Sequence, residues 1–272
     1  MNLFCFPALA GLWFVTTAVH AQITVASYSN DFTSSASDFT TTKPSAGAWT
    51  LDTVAPGYFG HTDAGDVNGT YAAAVQHTLL GGSAATAVDF TFGASVLYSA
   101  AGVASSNTLG VGFLNTSASL ASSSGYWFYI RGVASPNDGT GKSIYLVRND
   151  VVVASAGSTG HEMRDYFGDV LSYQVSASYI DAVGGDGIND SLSLSVTFTN
   201  LTNSDSFTLA YVDGAPLTGN YFGMRAQDQS PVHALNAQWD SFSLAAIPEP
   251  STYAALAGAA VLGLAALRRR RC

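Results

Sequence analysis

Cysteine is almost absent from this 272-residue sequence, and charged side chains are scarce. The two cysteines, Cys5 and Cys272, lie near the two ends, in segments that we expect to be removed. The remaining body then has no disulfide framework and no thiol nucleophile, which excludes a cysteine enzyme. Its stability must come from a large packed core, with a bound metal ion as a second candidate source.

Charged residues make up only 11% of the chain, whereas 47% of the residues are hydrophobic and 12% are aromatic. This composition excludes extensive disorder, which requires few aromatics and many charges. Between residues 22 and 246, 18 acidic side chains face only 6 basic ones. Nucleic-acid binding needs lysine and arginine against the phosphates, so the acidic body excludes a nucleic-acid partner and tolerates divalent cations.

The first 21 residues have the pattern of a cleavable export signal. An apolar run from Leu3 to Val19 leads to a short small-residue site that ends at Ala21. This pattern predicts cleavage between Ala21 and Gln22 and export of the remaining chain. The stretch before the apolar run departs from the usual pattern, because it contains neither lysine nor arginine.

The other end combines three features in a fixed order. Pro248-Glu249-Pro250 comes first, a weakly apolar stretch from Ala254 to Leu267 follows, and a run of four arginines comes last. The stretch is shorter than the roughly 20 residues that a transmembrane helix needs to cross the bilayer. The arginines act as a membrane stop and favour a cytoplasmic tail with the body outside, and they are Arg268, Arg269, Arg270 and Arg271. We expect a transient anchor in the inner membrane at residues 247–272.

These three features closely resemble the PEP-CTERM sorting signal of Gram-negative bacteria. The resemblance implies processing near Pro248-Glu249-Pro250 by an exosortase, after which the body is released or handed to the cell surface. The implied partners are the exosortase and the secretion machinery. Proteins with this signal commonly accompany exopolysaccharide and biofilm matrix, so exopolysaccharide is a further candidate partner.

Between the two ends, apolar residues alternate with polar ones, which indicates β-strands. Four such runs are 88–92, 173–180, 192–198 and 207–212. Turn residues separate the runs, among them Asn149-Asp150. Twelve to fourteen short strands in one domain, residues 22–246, predict an all-β, antiparallel jelly-roll sandwich flanked by a signal helix and a transmembrane helix.

The body also resembles the concanavalin-A-like or laminin-G-like sandwiches of bacterial surface proteins. Near its end, Tyr221-Phe222-Gly223-Met224-Arg225 and Trp239-Asp240-Ser241-Phe242-Ser243-Leu244 are similar to the closing strands of that family. The other segments that carry the resemblance are Asp31-Phe32, Phe39, Trp49, 87–92, 109–113, 126–131 and 143–148.

Catalytic patterns of such sandwiches are missing. A retaining glycosidase needs two carboxyl groups about 5 Å apart, and the Glu-x-Asp-x-x-Glu triplet that supplies them in laminarinase-like members does not occur here. The body holds a single glutamate, Glu162, which we expect to be a solvated loop acid, and pairs of aspartates stay open. The histidines are scattered rather than paired at zinc-ligand spacing. We therefore predict no catalytic residues, and a glycoside hydrolase or lyase remains the third reading of the function.

Calcium prefers carboxylate, amide and carbonyl oxygens, and two places offer them. The loop 181–190 contains Asp181, Asp186, Asn189 and Asp190, although a simple hairpin turn also explains it. The second place is Asp31 with Asp240, because the family resemblance implies a structural calcium where first and last strands meet. These six residues are the candidate metal ligands.

Sugar binding would use aromatic rings on an outer sheet face. In the run 126–131, strand alternation places Trp127, Tyr129 and Arg131 on one face and Tyr126, Phe128 and Ile130 on the other. One face must be core, and the first could bind carbohydrate, although both faces of such a strand can also be buried. The sequence thus leaves a non-catalytic adhesion or interaction module as the first reading and a lectin-like module as the second.

Overall fold

A computed structural model describes residues 27–43, 48–52, 57–62, 69–77, 88–100, 107–132, 141–181, 190–228 and 235–247. The domain boundaries at 22 and 246 stay a prediction. Within the described ranges, no helix has the length and apolar character to cross a membrane.

Several predictions about the two ends fall on residues outside these ranges. The Ala21–Gln22 cleavage site, the sorting motif Pro248–Pro250 and both terminal helices are among them. The four arginines of the membrane stop also lie outside the described residues, and these are Arg268, Arg269, Arg270 and Arg271. Their role in stopping the chain in the membrane therefore stays a prediction.

The described residues form fifteen strands and two short 3-10 helices, Ser122–Ser124 and Met163–Tyr166. The strands are β1 (Ser27–Asn30), β2 (Thr40–Thr42), β3 (Ala48–Asp52), β4 (Tyr58–Thr62), β5 (Gly69–Gln76), β6 (Phe90–Ala100), β7 (Thr108–Asn115), β8 (Tyr126–Arg131), β9 (Ile144–Arg148), β10 (Val151–Ala156), β11 (Val170–Ile180), β12 (Ser191–Asn200), β13 (Ser206–Asp213), β14 (Tyr221–Asp228) and β15 (Leu235–Ala246).

These strands build two sheets in which every pairing is antiparallel. The eight-stranded sheet runs β13-β12-β11-β6-β15-β4-β3, and β1 also pairs with β15. The seven-stranded sheet runs β10-β9-β8-β7-β14-β5-β2. This arrangement confirms the predicted all-β antiparallel sandwich.

Strand alternation sets which side chains enter the core. In β12, Leu192, Leu194, Val196 and Phe198 are buried, whereas the residues between them are serines and threonines with more solvent exposure. A pleated strand points successive side chains to opposite faces, so a period of two is enough to bury one face. The predicted strands at 173–180, 192–198 and 207–212 fall within β11, β12 and β13.

Aromatic pairs join the two sheets across the core. Phe90 of β6 packs edge-to-face on Phe222 of β14 with ring centroids 5.3 Å apart. Phe128 of β8 meets Tyr173 of β11 in the same geometry at 5.8 Å. Such pairs add about 0.5–1.5 kcal/mol each beyond the burial of their surface.

Hydrogen bonds to Asp213 also join the two sheets near their β10 and β13 edges, and we call Asp213, Tyr126 and Arg148 the polar latch. Asp213, at the end of β13, accepts hydrogen bonds from the Tyr126 hydroxyl of β8 and from Nε of Arg148 in β9. Its other carboxylate oxygen accepts the backbone N–H of Ala215 at 2.9 Å. Burial and the adjacent Asp213 raise the pKa of Tyr126, so the phenol stays a hydrogen-bond donor at neutral pH.

The turn predicted at Asn149-Asp150 connects β9 to β10. Both residues have positive φ, 46° and 65°. Two central residues with positive φ define a type I′ turn, whose twist matches that of a two-stranded hairpin, and Asn and Asp tolerate this conformation best after glycine.

Candidate functional site

The outer face of the seven-stranded sheet carries an aromatic cluster that is separate from the main core. Strand β8 buries Tyr126, Phe128 and Ile130 in the core between the sheets. Its alternate residue Trp127 packs on the opposite face with Tyr145 and Val147 of β9, and Tyr129 lies against them. The face division expected from the sequence therefore holds for β8. We call Trp127, Tyr129 and Tyr145 the outer aromatic cluster.

The rings of this cluster follow the register of the strands. Tyr129 lies directly opposite Tyr145, and their rings stack with centroids 5.4 Å apart. Trp127 and Tyr129 are two residues apart on β8, with ring centroids at 4.1 Å. Trp127 is 5% exposed and Tyr145 only 1%, whereas Tyr129 is half-buried. Of the three rings, Tyr129 therefore offers the most surface to solvent.

Arg225 of β14 completes the cluster from two strands away. It lies opposite Gly110 of β7, and Gly110 lies opposite Tyr129. Because Gly110 has no side chain, Arg225 can extend across β7 toward Trp127, whereas the Leu120 side chain lies above Gly112. The Arg225 guanidinium carbon lies 3.6 Å from the centroid of the Trp127 ring, which is a cation–π contact.

The Arg225 guanidinium is buried, with only 4% of the residue exposed. Its Nη2 donates to Oε1 of Gln227 at 3.5 Å, and its Nε and Nη1 have no hydrogen-bond partner in the part of the chain that the structure describes. The indole Nε1 of Trp127 also lacks an acceptor there. Burial lowers the pKa of Arg225 to about 10, against the opposing effect of Tyr129 and Asp150, so the group stays charged at neutral pH.

Sequence reasoning named Trp127, Tyr129 and Arg131 for this face but missed Arg225 and Tyr145. Arg131 ends β8 opposite Thr108, one position beyond Tyr129 along the same face, and is half-buried. Alternation places Tyr221, Gly223 and Arg225 on one face of β14, and that signal was available in the sequence. The adjacency of β14 to β7, which brings Arg225 near Trp127, was not.

A polar cleft of about 500 Å³ lies beside the other candidate site, at Asp31. Its lining includes Asn30, Asp31, Asp38 and Ser241. Oδ1 of Asp31 accepts the backbone N–H of Thr33 at 3.1 Å and its hydroxyl at 2.8 Å, and these bonds lower the pKa of Asp31. The cleft is open and hydrophilic.

The predicted calcium pair Asp31 and Asp240 have different partners. Asp240 sits at a bulge in β15 and accepts a hydrogen bond from Ser95 of β6, whereas Asp31 bonds to Thr33. In the second candidate loop, Asp181 and Asp190 flank the β11–β12 connection, and Asp186 and Asn189 lie outside the described residues. No group of three His, Cys, Asp or Glu side chains that could hold a metal occurs among the residues described. Calcium binding stays a prediction.

Glu162 differs from its expected environment. The residue is 1% exposed, and its Oε2 lies 2.6 Å from Nε of Arg164. Its backbone N–H donates to Oδ2 of Asp165, and this bond caps the start of the short helix Met163–Tyr166. The expectation of a solvated loop acid is therefore wrong, because the ion pair and the helix cap hold Glu162 inside the fold.

Residues 246–271 match the family described as the PEP-CTERM protein-sorting motif. Among solved structures, lectin I from Ulex europaeus in complex with the methyl glycoside of α-L-fucose is similar over 81% of this chain and 97% of that chain, with 10% identity and a TM-score of 0.52. Arcelin-5, a lectin-like defence protein from Phaseolus vulgaris, is similar over 82% and 99%, with 10% identity and a TM-score of 0.50. No curated protein matches the chain in sequence. The chain thus carries a PEP-CTERM sorting motif behind a body with the legume-lectin-like, concanavalin-A-like sandwich fold.

Proposed function

We propose that this protein is exported, processed by an exosortase and displayed at the cell surface or in the extracellular matrix, where its sandwich acts as a non-catalytic module for adhesion or interaction. The observation that carries the proposal is the position of the sorting motif. The motif starts at residue 246, where the closing strand β15 ends, so a lectin-like sandwich leads directly into the sorting segment. The exosortase, the secretion machinery and, transiently, the inner membrane are the proposed partners.

A non-catalytic role is favoured by the environment of Glu162. A glycoside hydrolase of the retaining type needs a carboxylic acid of raised pKa beside a second carboxylate. Glu162 is instead buried in an ion pair with Arg164, whose Nε lies 2.6 Å from Oε2 of Glu162. Two structures similar to this chain are, by their names, a lectin and a lectin-like defence protein. These points weigh against the glycoside hydrolase or lyase reading.

Changing Pro248-Glu249-Pro250 to three alanines tests the sorting proposal. We expect the variant to accumulate uncleaved in the membrane fraction, because the recognition sequence is lost while the apolar stretch and the arginines remain. Immunoblotting of fractionated cells measures this, with Ser241→Ala in the sandwich as a control that should be processed normally. Normal release of the triple variant would contradict exosortase sorting.

Carbohydrate binding is the second candidate function, and the outer aromatic cluster favours it. Aromatic faces and a guanidinium are groups that commonly contact sugars, and here Trp127, Tyr129 and Arg225 share one sheet face. The Ulex europaeus lectin of the same fold is described in complex with a methyl fucoside. Exopolysaccharide is the ligand we propose to examine first.

A glycan-array screen of residues 22–246, with and without calcium, tests this candidate. We expect binding that Trp127→Ala abolishes, because the ring anchors both Tyr129 and Arg225. Trp49→Ala, which changes a tryptophan of β3 in the other sheet, serves as the matched control and should keep binding. Silence across the array in both conditions would reject the carbohydrate candidate and leave protein adhesion as the role of the sandwich.

A further inference from the structure

Arg225 differs from two other arginines in how its charge is balanced. Arg148 is bonded to Asp213 and Arg164 to Glu162, although their side chains are 25% and 48% exposed. Arg225 is 4% exposed, and no salt bridge to it occurs among the residues described. Taking a charged group out of water without a counter-ion is costly, and arginines are rarely buried unless paired. Stability alone therefore does not explain the charge at this position.

The hydrogen-bonding groups of Arg225 and Trp127 that lack a partner within the described residues are all donors. Nε and Nη1 of Arg225 and Nε1 of Trp127 lack acceptors within the described residues, and the two side chains touch with the guanidinium carbon 3.6 Å from the ring centroid. The residue opposite Arg225 on the neighbouring strand β7 is Gly110, which has no side chain. Donors without acceptors around a positive charge match an anionic acceptor such as a carboxylate.

We propose that Arg225 and Trp127 form a subsite for the carboxylate of an acidic sugar, such as a uronic acid, on the outer face of the seven-stranded sheet. This inference rests on the carbohydrate-binding candidate and names its ligand class. The carboxylate accepts hydrogen bonds from Arg225, and the half-buried Tyr129 ring beside it packs on the sugar. Trp127 and Arg225 are 5% and 4% exposed in the structure, so the proposed subsite requires a local rearrangement when the ligand binds.

The overall charge of the body narrows the ligand further. Its 18 acidic and 6 basic side chains repel a dense polyanion at long range. This repulsion is screened beyond roughly 8 Å at physiological salt, so it opposes a chain with a charge on every sugar more than one isolated carboxylate. The favoured ligand is therefore a mostly neutral glycan with spaced acidic residues.

Calorimetry on the secreted, processed protein tests the subsite with two probes. One is a tetrasaccharide with a single glucuronic acid, and the other is the same molecule with that carboxyl group reduced to the alcohol. We expect the acidic form to bind about tenfold to a hundredfold more tightly, the range expected for a hydrogen bond to a charged group. The Arg225→Met variant should lose this preference and keep an equal or higher melting temperature, because an unpaired buried charge is replaced by an apolar side chain.

The controls separate the subsite from general effects of charge and folding. Lys43→Met removes a positive charge from an exposed position after β2 and should keep the preference. If Arg225→Met does not fold, Arg225→Lys is the second variant. It keeps the positive charge but lacks the planar guanidinium with its several N–H donors, so it should bind the acidic probe at least severalfold more weakly.

Each alternative outcome identifies what fails. Equal binding of the two probes, or a preference that survives in Arg225→Met, overturns the carboxylate subsite and leaves carbohydrate binding in place. Binding of neither probe, nor of any glycan on the array, overturns both. Stronger competition by a glutamate-rich peptide than by the acidic tetrasaccharide would assign the carboxylate to a protein ligand and overturn the sugar proposal.

Discussion

Replacing Asp213 with alanine is expected to lower the free energy of unfolding by about 3 kcal/mol, because the buried Tyr126 hydroxyl loses its acceptor and Arg148, 25% exposed, loses its counter-ion. The carboxylate accepts hydrogen bonds from the Tyr126 hydroxyl, from Arg148 Nε and from the Ala215 backbone N–H. Without it, these three donors lose their acceptor at a place where strands of the two sheets meet. A loss of this size is a large part of the total stability of a typical domain.

Urea unfolding followed by tryptophan fluorescence measures the effect of Asp213→Ala. The conservative variant Asp213→Asn keeps the shape of the group and should retain part of the stability. Asp38→Ala is the matched control, since this exposed aspartate accepts a long hydrogen bond of 3.3 Å from Tyr28 and no other among the described residues. An Asp213→Ala protein as stable as Asp38→Ala would show that the latch contributes nothing to holding the sheets together.

Replacing Trp239 with alanine is expected to cost a similar amount, about 3–5 kcal/mol, for a different reason. Trp239 of β15 has no exposed surface, and its ring lies 6.1 Å from that of Tyr173 in the main core. Its removal leaves a cavity in a close-packed interior in addition to the lost burial of apolar surface.

The matched control for Trp239→Ala is Trp49→Ala. Trp49 stacks on Phe59 at 4.9 Å but is only half-buried and lies on β3, at the edge of the eight-stranded sheet. Its loss should therefore cost clearly less, and thermal unfolding of the two variants gives the comparison. Equal losses would mean that Trp239 does not occupy the packed centre of the sandwich.

Local features of this fold follow from the sequence because they depend on neighbouring residues. The alternation in 192–198 predicted β12, and Asn149-Asp150 predicted the turn whose residues both adopt positive φ. The presence of a sandwich followed from many such short runs. The order of strands within each sheet did not follow, because β14 lies between β7 and β5 through contacts between distant segments.

In the candidate site, too, the features set by neighbouring residues could be predicted, and those set by distant segments could not. Alternation in β8 placed Trp127 and Tyr129 together on one face, which the structure bears out for their positions. The partner of Trp127, Arg225, is contributed by a strand far along the chain, and the covering of Trp127 depends on tertiary packing. Glu162 was misjudged for a similar reason, because no short-range pattern distinguishes an acid on the surface from one buried against Arg164.

We propose that this lectin-like sandwich is exported and then released from its sorting segment. Mass spectrometry of the protein recovered from the cell surface and medium, with both termini mapped, tests this release. We expect a chain that begins at Gln22, ends near Pro248-Glu249-Pro250 and lacks the arginine run from Arg268 to Arg271. Recovery of surface protein that still carries the four arginines, or of protein only inside the cell with Met1 in place, would contradict it.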